Sequence, residues 1–257
     1  MASRGSCLVV ISSAVEGVSA GPFMQACTLV NQSFAIQLAS PSGRQAEYVN
    51  QDDNNRRWFN EFRSKASSTP ISLDTVDVNR YSAILIPPCP GAIHDLVSNK
   101  DLAQIIAHFM KKKKPICAIG HGVAGLCCAR GDDGKTWELD GFSLTAPSLF
   151  EVGRLPEFSS MPIVLEDFVK DHGGKYTASE PDCNHVVIDR HVITGQNTQS
   201  TVTAVQNLIL MCSNISSGGS GATGGSISSG GSSGSGGGSQ KHLRPSSMGL
   251  NLTILGY

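Results

Sequence analysis

An α/β fold with a mostly parallel sheet covered on both faces, a three-layer sandwich, is predicted by three observations. Short β-branched apolar runs alternate with helical patterns along the chain. The runs are compact and apolar throughout, as strands buried on both faces are. One of them leads directly into a glycine-bounded turn and a run of small residues, the layout of a sharp strand-to-helix bend.

Each element follows from local pattern. Residues 7–12 form a buried strand, and residues 23–30 carry helical spacing. Residues 34–40 read as a second strand, closed by the turn Pro41, Ser42, Gly43. Residues 54–66 space Trp58, Phe59 and Phe62 on one helical face, with Asp53 or Asn54 as a cap. Residues 83–86 are a third compact strand, and a helix over 101–112 follows its loop. Residues 116–119 form the strand before the bend. Residues 186–188 and 192–194 flank a turn at Asp189 and Arg190. A helix over 201–212 closes a single domain spanning residues 1–215. Residues 131–137 read as a loop or hairpin.

Beyond that domain, residues 216–239 are glycine and serine except for Ala222, Thr223 and Ile227. Such a segment has too little apolar surface to offset its ordering entropy and is expected to be a flexible linker. Residues 240–257 form a tail with Leu250, Leu252, Ile254 and Leu255.

Net charge is −1 with 16% charged residues, so no global field points to nucleic acid or membrane. The one charge run, Lys111 to Lys114, ends a helical pattern before Pro115, where cations complement the helix dipole. Eight cysteines at no repeated spacing read as reduced, buried thiols rather than a disulfide framework. Cys117 and His121 are too sparse for a zinc site, and no metal or cofactor is expected. Arg4, the apolar residues 7–11 and then Val18, Ser19 and Ala20 imitate a weak signal peptide. Cleavage there would remove the first strand, so cytoplasmic retention without membrane insertion is expected.

The chemistry is concentrated at the bend. Ala118, Ile119, Gly120, His121 and Gly122 match a nucleophile elbow: small residue, any residue, nucleophile, any residue, small residue. The nucleophile's seat holds Gly120, which has no side chain. Gly120, Gly122 and Gly125 also satisfy a G-x-G-x-x-G dinucleotide fingerprint, with Glu138 or Asp140 as the distal acid. That fingerprint normally opens the first βα unit of its domain, whereas this strand comes after several others. Close helix–strand packing explains the same glycines.

The elbow resembles the Ala-Ile-Cys-His-Gly of the PfpI-type, Parkinson-disease-protein-seven-like superfamily. Residues 85–96, 166–169 and 192–197 with Ser200 are similar to that family too, so the likeness spans residues 7–213. It implies a class 1 glutamine-amidotransferase-like, flavodoxin-like fold. In active members a cysteine at the elbow is deprotonated beside a histidine, with an acid from the loop after the first strand. On that likeness Glu16 falls on the acid, His121 on the histidine and Gly120 on the nucleophile. The donor-bearing turn is Pro88, Cys89, Pro90 and Gly91, where Pro90 removes one N–H. Removing a nucleophile costs on the order of a million-fold in rate. A vestigial pocket of Glu16, Cys89, Gly120, His121 and Asn197 is therefore expected, with no catalytic residue.

The resemblance further implies a homodimer that serves as a subunit of an early-endosomal Rab-effector complex. There it would link messenger RNA to endosomes, touching RNA through the complex rather than directly. Two alternatives stand beside this. One is a small-molecule enzyme of the glyoxalase, deglycase or hydrolase type that uses Cys89, activated by Glu16 and His121. The other is a dinucleotide binder. Asn197 and Gln196 are expected to bond loop backbone, Glu16 to be a satisfied buried carboxylate, and His185 and His191 to lie at the surface or in turns.

Overall fold

The computed structural model describes residues 4–218; the rest of the Gly/Ser segment and the tail 240–257 lie outside the described residues. Seven strands form the main sheet: β1 (Ser6–Val10), β2 (Ala35–Ser40), β3 (Ile71–Ser72), β4 (Ala83–Ile86), β5 (Ile116–Ile119), β6 (Val186–Asp189) and β7 (Val192–Gly195). Their order is β6-β7-β5-β4-β1-β2-β3, and only the β6–β7 pair is antiparallel. The α/β class and the mostly parallel sheet are those the sequence predicts. Every residue of β4 and β5 is buried, which is why those runs carry apolar side chains on both faces.

The helices are α1 (Ala20–Ser33), α2 (Asp53–Arg63), α3 (Ala92–Asp95), α4 (Lys100–Lys111), α5 (Leu149–Val152), α6 (Leu165–Asp171) and α7 (Thr201–Gly218). The chain steps one way across the sheet from β1 to β2 and the other way from β4 to β5. Right-handed crossovers therefore place α1 and α4 on opposite faces. The reversal between β1 and β4 is a topological switch point, and the crevice beyond the strand ends lies there. α7 packs on α1, β5 and β7, while α3, α4 and α6 meet the turn that follows β5. α7 continues past the expected end at Cys212 as far as Gly218.

Local signals account for the boundaries. α2 starts at Asp52, whose carboxylate accepts from Asn55 N at 2.8 Å while Asn55 Oδ1 accepts from Asp52 N at 3.0 Å. Its Trp58, Phe59 and Phe62 join Phe23 in one aromatic cluster. Asn99 caps α4. The lysine run after α4 is not uniform. Lys111, Lys112 and Lys113 are exposed, but Lys114 turns inward. Its Nζ donates to the carbonyls of Val78 (3.0 Å) and Tyr81 (2.8 Å) and lies 5.3 Å from the centre of the Phe109 ring. Arg130 and Trp137 form an antiparallel bridge around the turn at residues 131–136, matching the expected hairpin.

The run after β5 is a 3₁₀ helix, Gly120–Leu126, rather than an ordinary α-helix. Two of its glycines, Gly122 and Gly125, are consumed by packing. A Cβ at Gly122 would meet the Pro87 carbonyl oxygen and sit 2.7 Å from that of Ile86. A Cβ at Gly125 would lie 2.8 Å from Ile86 Cδ1 and 3.2 Å from Leu102 Cδ2. Close packing thus accounts for Gly122 and Gly125, the explanation set beside the dinucleotide fingerprint. Gly122→Ala is expected to cost about 3 kcal/mol or more, because backbone rather than a rotatable side chain must move. Denaturant unfolding at constant slope would measure it, and a loss under about 0.5 kcal/mol would refute the packing role.

Candidate functional site

The site is assembled by loops at the C-terminal ends of β1, β4, β5 and β7. At its centre the backbone passes from Ile119 in extended geometry to Gly120 at φ +56°. Only glycine adopts that region without cost; another residue loses roughly 1–3 kcal/mol. A Cβ at Gly120 would have room, with Pro88 Cβ at 3.6 Å and Asn197 Cα at 3.9 Å. The elbow thus keeps its bend and the space for a side chain, but has no reacting atom.

His121 follows. Its ring is partly buried, and its Nε2 is sealed from solvent without a hydrogen-bond partner. Burial lowers its pKa below the ordinary imidazole value, and the carboxylates of Glu151 and Glu157 oppose the shift only in part. It is a neutral imidazole at neutral pH.

Glu16 is not the buried carboxylate expected. It is exposed in the loop after β1, with Oε1 3.6 Å from His94 Nε2 on α3. The next residue, Gly17, lies at φ +71°, and its carbonyl accepts from Gly91 N at 3.0 Å. That bond also uses the N–H next to Pro90, so this turn offers no free donor at residue 90 or 91 to a developing oxyanion.

Cys89 is completely buried. Burial pushes its thiol up to about 12, although a hydrogen bond from the Ser12 backbone opposes this. A thiol so placed supplies almost no thiolate near neutrality. The exposed cysteine is Cys183, and Cys128 is only partly buried, so the eight thiols are not uniformly interior. His191 lies in the turn between β6 and β7, as expected of a surface or turn residue, and is partly buried with an unpartnered Nε2.

Asn197 holds the loop after β7. Its Nδ2 donates to Glu151 Oε1 (2.7 Å) and to the Cys183 carbonyl (2.8 Å), while its Oδ1 accepts from Ser200 Oγ at 2.9 Å. Gln196, fully buried, bonds the Ser179 backbone in both directions. Two adjoining cavities result. One of about 400 Å³ includes Glu16, His94, His121 and Glu157 in its lining. The other, of about 200 Å³, includes Pro88, Gly120, His121, Glu151 and Asn197. Cys89 lines neither. A larger cavity of about 730 Å³ lies at the opposite end of the sheet, beside Gly5, Phe34, Lys112 and Ile215, and touches no elbow residue.

Glu151 and His94 were not singled out from the sequence. Glu151 had a signal: Ser148 and Glu151 form a capping box, the Ser148 N–H donating to Glu151 Oε2 at 3.1 Å. Its other oxygen accepts from Asn197 and from Asp182 N at 3.0 Å. His94 belongs to the stretch that resembles the PfpI type, but nothing in its spacing marks it. The assembled site has an acid, an imidazole and an amide, and no nucleophile in position between them. Among the described residues no group of three or more His, Cys, Asp or Glu is placed to hold a metal ion. None of the described helices is long and apolar enough to cross a membrane.

The chain is 50% identical over 212 residues to the glutamine amidotransferase-like class 1 domain-containing protein 1 of Bos taurus, covering 82% of this chain and 96% of that protein. The chain belongs to this family. No family model matches it. Rapid Encystment Protein 24 kDa of Francisella tularensis superposes with a TM-score of 0.72 at 22% identity, over 81% of this chain and 99% of that one. Glyoxalase III of Candida albicans superposes with a TM-score of 0.72 at 19% identity, over 80% and 97%. The fold is that of the DJ-1/ThiJ/PfpI proteins, flavodoxin-like, as the resemblance implied.

Alkylation of the native family member with iodoacetamide at neutral pH is expected to modify Cys183 first and leave Cys89 intact until unfolding; peptide mapping by mass spectrometry reads this out. Rapid labelling of Cys89 would overturn the buried-thiol assignment. Because folding lowers the His121 pKa, the unfolded state binds its proton first as pH falls. Stability should therefore decline below about pH 6.5, until the folded-state value is passed. Thermal melting of His121→Gln from pH 7 to 5 should show a shallower decline than the native chain.

Proposed function

We propose that this chain is a non-catalytic PfpI-fold protein that works by binding other proteins, as a subunit of an early-endosomal Rab-effector complex that links messenger RNA to endosomes. The observation that carries the non-catalytic part is the elbow: a glycine at φ +56° faces Pro88 and Asn197 where the family's chemistry needs a thiolate. Burial of Cys89 supports the same reading, since no substitute thiol reaches either cavity. The endosomal assignment, the homodimer and the indirect contact with messenger RNA rest on the family resemblance. The inward bonds of Lys114 support indirect contact, because they leave a shorter basic run than the sequence suggests.

Two measurements test the reading. The native chain should show no turnover of a small α-oxoaldehyde above buffer, and Gly120→Cys should fold with a loss of about 1–2 kcal/mol yet stay inert. Turnover by the native chain, abolished in Cys89→Ser, would sink the proposal. Affinity capture with the full chain from cell extract, followed by identification of the bound proteins, should return Rab-effector subunits and early-endosomal markers. Their absence from capture would remove the endosomal part.

A further inference from the structure

Two helices that cover one face of the sheet carry no charge. Neither the 14 residues of α1 nor the 18 of α7 include Lys, Arg, Asp, Glu or His, although 16% of the chain is charged. A helix with one side in water normally carries charged residues on that side. The other long helices follow that rule: Asp53, Arg56, Arg57, Glu61 and Arg63 are exposed on α2, and Lys100 and Lys111 on α4. The two neutral helices are neighbours. α1 packs on α7, and their last turns, at Ser33 and Ile215, line the same cavity at the base of the sheet.

Both helices present an outward stripe. On α7, Val202, Gln206 and Leu210 are exposed one turn apart, and on α1 Gln25, Thr28 and Gln32 are exposed. Leu210 is 61% exposed. Polar groups on α7 are already engaged. Asn207 Nδ2 donates to the Thr203 carbonyl (2.8 Å), Asn184 Nδ2 to Thr203 Oγ1 (2.7 Å), and Ser213 Oγ to the Ile209 carbonyl (2.9 Å). Burying groups that keep their bonds costs far less than burying charges or bare donors. Beside α1 lies α2 with its exposed charges. A charge-depleted centre with exposed aliphatic side chains and a charged border is the make-up of a protein interface and its rim.

We propose that the outward face of α1 and α7 is the surface through which two copies of this chain pair. A two-fold contact sets one patch against itself, so a charged patch repels its copy and a neutral one does not. The net charge of −1 adds no general repulsion between copies. The size suffices: two adjoining helices of this length offer roughly 20 Å by 25 Å, about 500 Å² on each copy, which doubles to the ~1,000 Å² that a specific interface needs. The inference rests on the protein-binding reading above and assigns a surface to the homodimer named there.

Sedimentation velocity with the full 257-residue chain over a concentration series tests it. The native chain should pass from monomer to dimer as concentration rises. Leu210→Glu should weaken the dimer about a hundredfold or more, and Thr28→Glu, on the other helix, about tenfold or more. Gln104→Glu places the same charge at an exposed position of α4, on the opposite face, and should leave the equilibrium unchanged. All three side chains are exposed, so unchanged melting is expected and shows that folding is not what is being read. A chain that stays monomeric, a dimer that survives both Leu210→Glu and Thr28→Glu, or equal weakening by Gln104→Glu would each overturn the assignment. A monomeric chain that loses its captured proteins in Leu210→Glu would put a different protein on this face and overturn the second copy as occupant. Capture of the endosomal assembly separates the two readings. If the native chain captures it but dimerises elsewhere or not at all, the face fails and the endosomal reading stands. If the chain pairs through this face but captures no such assembly, the endosomal reading fails and the face stands.

Discussion

The elbow backbone runs so close to the end of β4 that position 122 has no space for a side chain, and the site depends on that approach. The carbonyls of Ile86 and Pro87 occupy the place where a Cβ would sit. Because β4 and β5 are parallel neighbours in register, this contact sets how the 3₁₀ turn leaves the sheet. It thereby sets where residue 120 faces. The loops from β4 and β7 close over that point through Pro88 and Asn197. A bend of this kind is a structural joint as well as a catalytic device, which explains why it persists without a nucleophile.

What surrounds the joint has been turned to other uses. The N–H of Gly91 is bonded to the Gly17 carbonyl, and Pro90 has none to give. Asn197 and Glu151 are committed to each other and to the loops around residues 182–183. These groups stiffen the cleft walls rather than wait for a developing charge. Neutral His121 and the outward-facing Glu16 are left lining a cavity with no reacting atom between them. The proposed binding role starts from this arrangement, since binding needs complementary groups and catalysis also needs an activated one.

Much of this was legible in the residues. The strands over 83–86 and 116–119 came at their observed bounds, because compact apolar runs between turn residues leave little choice of register. The aromatic spacing at Trp58, Phe59 and Phe62 located α2, and the elbow was recognisable from Ala118 to Gly122 alone. Other features were hidden. Lys114 reads like its three neighbours, and only the carbonyls of Val78 and Tyr81, distant in sequence, draw it inward. Glu16, expected to be buried, is exposed, and the full burial that keeps Cys89 from both cavities could not be read from its turn. The bond between Gly17 and Gly91 that sets both loops has no sequence signature.

The sequence by itself determined the α/β class, the family and the missing nucleophile, because each depends on residue type and local order. A glycine cannot attack a carbonyl in any fold. Only the tertiary structure decided that Cys89 is buried away from both cavities, that Gly122 and Gly125 are filled by packing, and that Glu16, His94, His121 and Glu157 meet around one cavity. Those outcomes depend on which loops converge at the end of the sheet, and that convergence is produced by long-range backbone contacts rather than by any neighbouring residue.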